Sequence, residues 1–245
     1  MIKRNLLIAI LILCSIGIIK GQTVSDSLVI MSARWKVESP QKGIIHKYAS
    51  IPRLYQGTQS VSLIEIEPGA GLKVDIAVSD EMKETSRIAS EHRGIAAING
   101  SYFDMKRGNS VCFLKVGNQV VDTTTLSECK LRVTGAMHVH KGKIKLIPWS
   151  RQIEKEYKGE TGIVLASGPL MLKDGQICDW NSCGTNFIRT KHPRSAVATT
   201  KEGKILLITV DGRFPEQAEG VNIPELAHLI RILGGEDALN LDGGG

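Results

Sequence analysis

The feature that most constrains the fold is a series of short apolar segments separated by glycine-containing turns. Pairs of such segments flank Gly117, Gly142 and Gly203. Apolar residues that alternate with polar ones over a few positions indicate a strand with one buried face, and a short turn between two strands indicates a β-hairpin. Because hairpins join antiparallel neighbours, this pattern predicts a largely antiparallel sheet.

The predicted strands follow from this pattern along the chain. We expect a hairpin formed by residues 61–67 and 72–78, and a short buried strand at 95–98. The remaining predicted strands are 111–116 with 119–121, 136–140 with 143–147, 163–167 followed by 170–172, 195–200 with 205–210, and 238–242.

Two helices are predicted between these strands. Residues 80–93 carry acidic residues early and basic residues late, which matches the helix dipole. A second helix follows Asn222, with Pro224 in its first turn, Glu225 closing an Asn-x-x-Glu capping box and Gly234 ending it. The sequence therefore predicts a single α+β domain with a mixed, largely antiparallel sheet and a few packed helices. No Gly-x-Gly-x-x-Gly motif follows a strand and opens a helix, which argues against a dinucleotide-binding fold.

The N-terminus has the pattern of a secretory signal peptide. Lys3 and Arg4 precede an apolar run at 6–13, and small residues suitable for cleavage follow, the last of them Gly21. The uncharged stretch at 6–19 has 14 residues, fewer than the ~20 that a helix needs to span a bilayer. We therefore expect residues 1–21 to be removed. The protein would be exported to the periplasm, the cell surface or the medium, with membrane contact only through the signal segment before cleavage.

Net charge argues against a nucleic-acid partner. Loss of residues 1–21 removes three cations and no acid, so the formal charge falls from +6 to +3. No basic run interleaved with aromatic residues is present either.

Four cysteines remain after this cleavage, namely Cys112, Cys129, Cys178 and Cys183. An even number in an exported chain indicates disulfides, and three pairings are possible. Cys178 and Cys183 enclose the shortest loop, so we predict that bridge together with Cys112–Cys129. Their spacing, without nearby histidines, is unlike that of a zinc site.

Several predicted strands end in polar turns that contain glycine. Glycine permits positive φ angles and close approach of the backbone to a ligand, and successive free N–H groups in such turns can bind anions. These turns therefore predict a binding site at the strand ends. They are Asn99-Gly100, Ser167-Gly168-Pro169, Asp211-Gly212-Arg213 and Asp242-Gly243-Gly244-Gly245.

Taken in this order, the turns resemble the phosphodiester glycosidase family. The segment His192-Pro193-Arg194-Ser195-Ala196 and the helix start at Glu225 contribute to the resemblance, which covers roughly residues 61–245. We therefore divide the chain into the signal peptide (1–21), an N-terminal segment of unknown role (22–60) and a phosphodiester glycosidase-like domain (61–245). Since relatives continue beyond the three glycines, we expect this domain to be C-terminally incomplete.

The resemblance implies hydrolysis of a sugar-1-phosphodiester at the sugar side, releasing a free sugar and a phosphomonoester, on a glycan or cell-wall polymer. Asp211 and Asp242 are the candidate carboxylates for the oxocarbenium-like sugar carbon or for activating water. Arg194 and Arg213 suit the phosphate, because guanidinium binds it in a bidentate manner. Asn99 completes the predicted catalytic set. The predicted substrate-binding residues are Gly100, Gly168, Gly212, Gly243, Gly244, His192 and Glu225, the last of which is also explained by the capping box.

Two alternative functions remain open at this point. We predict no cofactor and no dedicated metal site, yet Asp211, Asp242 and Asn99 are oxygen ligands that suit Mg²⁺ or Ca²⁺. A bound ion would make the protein a metal-assisted phosphodiester hydrolase that cleaves on the phosphorus side. The second alternative is a non-catalytic surface domain that binds glycans.

Overall fold

The computed structural model describes residues 25–79, 81–159 and 161–244, so the predicted signal segment at 1–21 lies outside the described residues. The helices in this part are α1 (25–31), α2 (Thr85–Glu91), α3 (Leu126–Leu131), α4 (Arg151–Glu156), α5 (Thr185–Arg189) and α6 (Ile223–Ile232). None of these helices has the length and apolar character needed to cross a membrane.

The strands form two antiparallel sheets. In chain order they are β1 (Lys36–Gln41), β2 (Ile44–Leu54), β3 (Gly57–Ile66), β4 (Leu114–Val116), β5 (Gln119–Asp122), β6 (Gly135–His140), β7 (Lys143–Pro148), β8 (Ile163–Ser167), β9 (Leu170–Lys173), β10 (Gln176–Ile177), β11 (Arg194–Thr200), β12 (Ile205–Val210) and β13 (Gly235–Leu241). The large sheet has the order β1-β2-β3-β12-β11-β13-β9-β10, and the small sheet has the order β5-β4-β8-β6-β7. The α+β prediction is confirmed.

Three predicted hairpins are confirmed, namely β4–β5, β6–β7 and β11–β12. The two consecutive strands that we expected at 163–167 and 170–172 are also present as β8 and β9, but they belong to different sheets. The chain therefore passes from the small sheet to the large one at Gly168-Pro169, where a turn alone was expected.

The predicted hairpin between 61–67 and 72–78 is wrong. β3 pairs instead with β2 on one side and β12 on the other, and residues 72–79 form no strand. The N-terminal segment supplies β2, which pairs with β3 along almost its whole length. Once both edges of β3 are occupied, a following extended segment has no ladder to join. The predicted strand at 95–98 is likewise irregular and partly exposed.

The large sheet is buried on both faces. One face packs against α6, whose Leu226, Leu229 and Ile230 are fully buried in the core. The other face packs against the small sheet through residues that include Val197 and Leu239. The predicted start of α6 is confirmed: the Asn222 side chain accepts from the Glu225 N–H, and the Glu225 carboxylate accepts from the Asn222 N–H.

Both predicted disulfides are wrong, since all four cysteines are free thiols. Cys183 packs in the core under α6, whereas Cys178 packs against the cluster between the two sheets. Cys112 is fully buried in a third cluster, and Cys129 is half-buried on α3. A bridge requires the two Cβ atoms to face each other, which closeness in sequence does not ensure.

Candidate active site

An open cavity of about 560 Å³ lies where the central strands of the large sheet end. Its walls come from β11, β12 and the turn after β13, and from α2 with the segment that follows it. The polar residues that line it are Thr85, Ser86, Ser90, Asn99, Arg194, Ser195, Thr209 and Asp211, and Gly243 contributes backbone.

Strand register brings these groups together. Thr209 on β12 lies opposite Ser195 on β11, and Ser195 lies opposite Leu241 on β13. Asp211 follows Thr209 by two residues, and Gly243 follows Leu241 by two residues. Both therefore lie just beyond the sheet, at the same end of its strands. Residues two apart on a strand share a face, which explains how positions far apart in sequence reach one cavity.

Asp211 is held in place by Ser60 at the start of the paired strand β3. The Ser60 hydroxyl donates to Asp211 Oδ2, and the Asp211 N–H donates to the Ser60 carbonyl at 3.0 Å. The residue remains exposed on the cavity side. Its carboxylate is therefore oriented by the protein and accessible to a ligand.

Asn99 connects α2 to the end of β13. Thr85 Oγ1 donates to Asn99 Oδ1 at 2.5 Å, and Asn99 Nδ2 donates to the Asp242 carbonyl at 3.2 Å. The N–H of Asp242 in turn donates to the Gly100 carbonyl at 2.9 Å. The two walls of the cavity are joined at this point.

Of the two predicted catalytic carboxylates, only Asp211 lines the cavity. Asp242 is half-buried and is not among the lining residues, and its carboxylate accepts from the backbone N–H groups of Gly244 and Gly243. Burial raises the pKa of Asp242, an effect that these N–H groups and nearby Arg132 partly offset. The structure thus places Asp242 as the group that shapes the terminal turn.

Arg194 is not available for the phosphate that we predicted it to bind. It is buried, and its guanidinium donates to the carbonyls of Val221 at 3.2 Å, Phe187 at 2.9 Å and Thr190 at 3.0 Å. Burial lowers its pKa to about 10, so it stays protonated at neutral pH. Although Arg194 is among the residues that line the cavity, these bonds hold its guanidinium against backbone carbonyls and join the end of α5 to the strand edge.

Arg213 differs from Arg194 because its side chain is exposed. It follows Asp211 by two residues, has a φ of 67°, and forms no ion pair within the described part of the chain. His192 lies nearby and exchanges two backbone hydrogen bonds with Val221. Burial, and then the charges of Arg194 and Arg213, lower the pKa of His192.

The predicted binding glycines have mostly a packing role. A Cβ on Gly212 would lie 2.5 Å from the Pro193 nitrogen, and one on Gly243 would lie 2.2 Å from the Pro193 oxygen. One on Gly168 would lie 2.2 Å from the carbonyl oxygen of Arg132. These glycines are thus required where two backbone segments touch, and of the five predicted only Gly243 lines the cavity.

The other predicted binding residues lie outside the cavity lining. Gly100 lines a second, separate cavity, and Gly244 lies against Asn99 Nδ2. Glu225 closes the capping box of α6, and burial raises its pKa. Its structural role is therefore the one that its sequence position already explained.

Sequence reasoning missed four polar residues around Asp211 and Asn99, namely Ser60, Thr85, Ser195 and Thr209. Ser195 and Thr209 do carry a signal, since each interrupts the apolar character near the end of a strand. Ser60 and Thr85 carry none, because only the pairing of β3 with β12 and the position of α2 bring them to the site. Among the described residues, no group of three or more His, Cys, Asp or Glu side chains is arranged to hold a metal ion.

The cavity, with several polar groups that converge at the strand ends of an α+β fold, is the candidate binding site of the protein. The family model for phosphodiester glycosidases (NAGPA) matches residues 92–245, and the chain belongs to this family. A comparison with curated proteins finds no match.

The solved structures that are similar to the chain include the following two. One is the zebrafish N-acetylglucosamine-1-phosphodiester α-N-acetylglucosaminidase catalytic domain auto-inhibited by its pro-peptide, with a TM-score of 0.60, 17% identity, and coverage of 89% of this chain and 81% of that one. The other is a hypothetical protein from Synechocystis, with a TM-score of 0.58, 15% identity and coverage of 87% of this chain. The chain spans 58% of the length of the Synechocystis protein. At these identities the similarity shows the fold.

Proposed function

We propose that the protein is a glycosidase that hydrolyses a sugar-1-phosphodiester at the sugar side. Its membership of the phosphodiester glycosidase family supports this reaction. The observation that carries the proposal is the position of Asp211, an exposed carboxylate held by Ser60 in the cavity that Asn99 also lines.

The cavity groups suit the two halves of the reaction. The hydroxyls of Ser195 and Thr209 and the amide of Asn99 supply hydrogen bonds for sugar hydroxyls. Asp211 stabilises the positive charge that develops at the sugar carbon as its bond to the phosphate oxygen breaks. The electron pair stays on the phosphate, and a water oxygen bonds to the sugar carbon and loses a proton.

The leaving group needs a cation more than an acid. A phosphomonoester is already anionic and of low basicity, so its departure depends on binding of its charge and not on a proton donor. Arg213 is exposed and follows Asp211 by two residues, just outside the residues that line the cavity, and we assign the phosphate to it. This replaces the predicted pair of arginines by one, since Arg194 is committed to backbone carbonyls.

We further propose that the protein is exported and acts on a glycan or cell-wall polymer. The positively charged start, the apolar run and the small residues within 1–21 support export. The open form of the cavity suits a substrate that extends beyond one sugar.

The test is hydrolysis of the methyl phosphodiesters of glucose 1-phosphate and N-acetylglucosamine 1-phosphate in water labelled with heavy oxygen. We expect the label in the released sugar. Asp211→Asn should lower kcat/KM roughly 100-fold or more, the size of effect expected for a positioned catalytic carboxylate. Asp174→Asn is the matched control, because Asp174 precedes a glycine in an exposed turn away from the cavity.

Two outcomes would favour the alternatives and overturn the proposal. Label in the phosphomonoester would indicate cleavage on the phosphorus side, as in a metal-assisted phosphodiester hydrolase. Saturable binding of these diesters without turnover would indicate a non-catalytic glycan-binding domain.

A further inference from the structure

A row of polar side chains leads away from the cavity across the large sheet. Tyr48 on β2 lies opposite Ser62 on β3, Ser62 lies opposite Thr209 on β12, and Thr209 lies opposite Ser195 on β11. Side chains of directly paired residues project from the same face of a sheet. The row Ser195-Thr209-Ser62-Tyr48 therefore begins inside the cavity, at Ser195, and ends outside it, at Tyr48 on β2.

Hydrogen-bonding groups connect this row to the reacting carboxylate. The Ser60 hydroxyl, which donates to Asp211, lies 3.4 Å from the Tyr48 hydroxyl. His46, two residues before Tyr48 on the same face, has its Nε2 2.9 Å from Ser62 Oγ. The surface between Asp211 and Tyr48 is thus built from hydroxyls that are already held in position.

The neighbouring row shows that this polarity is local. One row further into the sheet, on the same face, Leu207, Val197 and Leu239 lie opposite one another and pack between the two sheets. This row is polar only at its outer end on β2, where His46 lies opposite Ile64. The face changes from apolar to polar where it leaves that core. At this boundary Tyr48 remains 42% exposed, although large aromatic side chains are among the most favourable to bury.

We propose that Tyr48, Ser62 and His46 form an additional subsite that binds a second sugar unit of the substrate. This inference rests on the proposed function and specifies its substrate as an oligosaccharide or polysaccharide that carries a 1-phosphodiester. The Tyr48 ring offers an apolar surface for the face of a sugar ring, and the serine and imidazole groups hydrogen-bond to its hydroxyls. All three residues lie outside the segment 92–245 that matches the family model.

The spacing of the strands supports an elongated substrate. Thr209 and Tyr48 are separated by one intervening strand, so about 10 Å lies between them at the usual distance between neighbouring strands. The Tyr48 hydroxyl lies beside Ser60 and therefore near Asp211, whereas the Tyr48 ring belongs to β2, two strands away from Asp211. A chain of sugars that follows the polar row covers the whole ring. Recognition of chain length is therefore a function of the N-terminal strands.

Calorimetric titration of the Asp211→Asn protein tests this subsite without requiring turnover. The probes are the methyl phosphodiesters of glucose 1-phosphate, maltotriose 1-phosphate and chitotriose 1-phosphate. We expect one of the two extended probes to bind about tenfold more tightly than the glucose probe, in line with the energy of an aromatic stacking contact. Adding Tyr48→Ala should remove this advantage and lower the affinity for the glucose probe much less than that for the extended probe.

Two further variants separate the subsite from a general effect on the fold. Tyr48→Phe keeps the ring and should retain most of the advantage. Val37→Ala changes an exposed apolar residue on the neighbouring strand β1, paired with Lys47 and therefore on the opposite face, and should have no effect. Extended probes that bind no more tightly than the glucose probe, or an equal loss for all probes in Tyr48→Ala, would overturn the proposal. Failure of the unsubstituted protein to place heavy oxygen in the sugar would instead overturn the proposed function alone.

Discussion

The side-chain amide of Asn99 donates to the backbone carbonyl of Asp242 at 3.2 Å, and the N–H of Asp242 donates to the carbonyl of the next residue, Gly100, at 2.9 Å. This reciprocal contact joins the segment after α2 to the turn after β13. Because each segment forms one wall of the cavity, the contact determines the cavity's shape. It also explains why an asparagine and an aspartate so distant in sequence belong to one site.

Replacing Asn99 should therefore affect both stability and activity. In Asn99→Ala, Thr85 and the Asp242 carbonyl each lose a partner, which should lower the free energy of unfolding by about 1–2 kcal/mol. We expect kcat/KM to fall roughly tenfold or more, since the wall that carries Gly243 is released. Urea unfolding and steady-state kinetics measure the two effects. Asn118→Ala, in the exposed turn between β4 and β5, is the control and should change neither quantity.

Arg194 should prove to be essential for stability. Arg194→Ala leaves the carbonyls of Phe187, Thr190 and Val221 without this donor and removes a buried side chain, so we expect a loss of roughly 3 kcal/mol or more in the free energy of unfolding. Arg194→Lys should recover only part of this loss, since an ammonium cannot reproduce the planar arrangement of donors. Chemical denaturation measures both variants. A folded, fully stable Arg194→Ala protein with weakened phosphate binding would return Arg194 to the role predicted from the sequence.

Arg213 should show the opposite behaviour. Because its side chain is exposed, Arg213→Ala should leave thermal stability unchanged. On a sugar phosphodiester we expect kcat/KM to fall about 10- to 150-fold, the value of a charge-assisted hydrogen bond of roughly 1.5–3 kcal/mol. Turnover of a neutral aryl glycoside should not change. Equal losses on charged and neutral substrates would show that Arg213 does not bind the phosphate.

Burial of Asp242 should appear in the pH dependence of stability. Its pKa in the folded state is raised above the ordinary value of 3.8, so the folded protein binds this proton more tightly than the unfolded chain does. The resulting stabilisation is fully present at pH values below 3.8 and is lost as the pH rises from 3.8 through the folded-state pKa. Asp242→Asn should remove this component, so its stability relative to the unsubstituted protein should increase over the same window. Urea unfolding across the acidic range measures the difference, and parallel curves for the two proteins would contradict the prediction.

The sequence alone determined the elements that depend on neighbouring residues. The capping box of α6 is local, since Asn222 and Glu225 are three positions apart and satisfy each other's backbone N–H groups wherever the helix lies. The hairpins β4–β5, β6–β7 and β11–β12 are also local, because a turn of two residues in the first two and of four in the third makes adjacent strands neighbours. The ordered motifs at the strand ends were likewise sufficient to indicate the family.

Only the tertiary structure decided which side chains meet. A period of two tells which residues of one strand share a face, but the strand opposite them is chosen by long-range pairing. Ser60 therefore reaches Asp211 because β3 pairs with β12 and not with residues 72–78. Arg194 and Ser195 are adjacent in sequence and both border the cavity, yet strand alternation places them on opposite faces, where the Arg194 guanidinium binds backbone carbonyls. The same reason separates Cys178 from Cys183, since each packs into a different core.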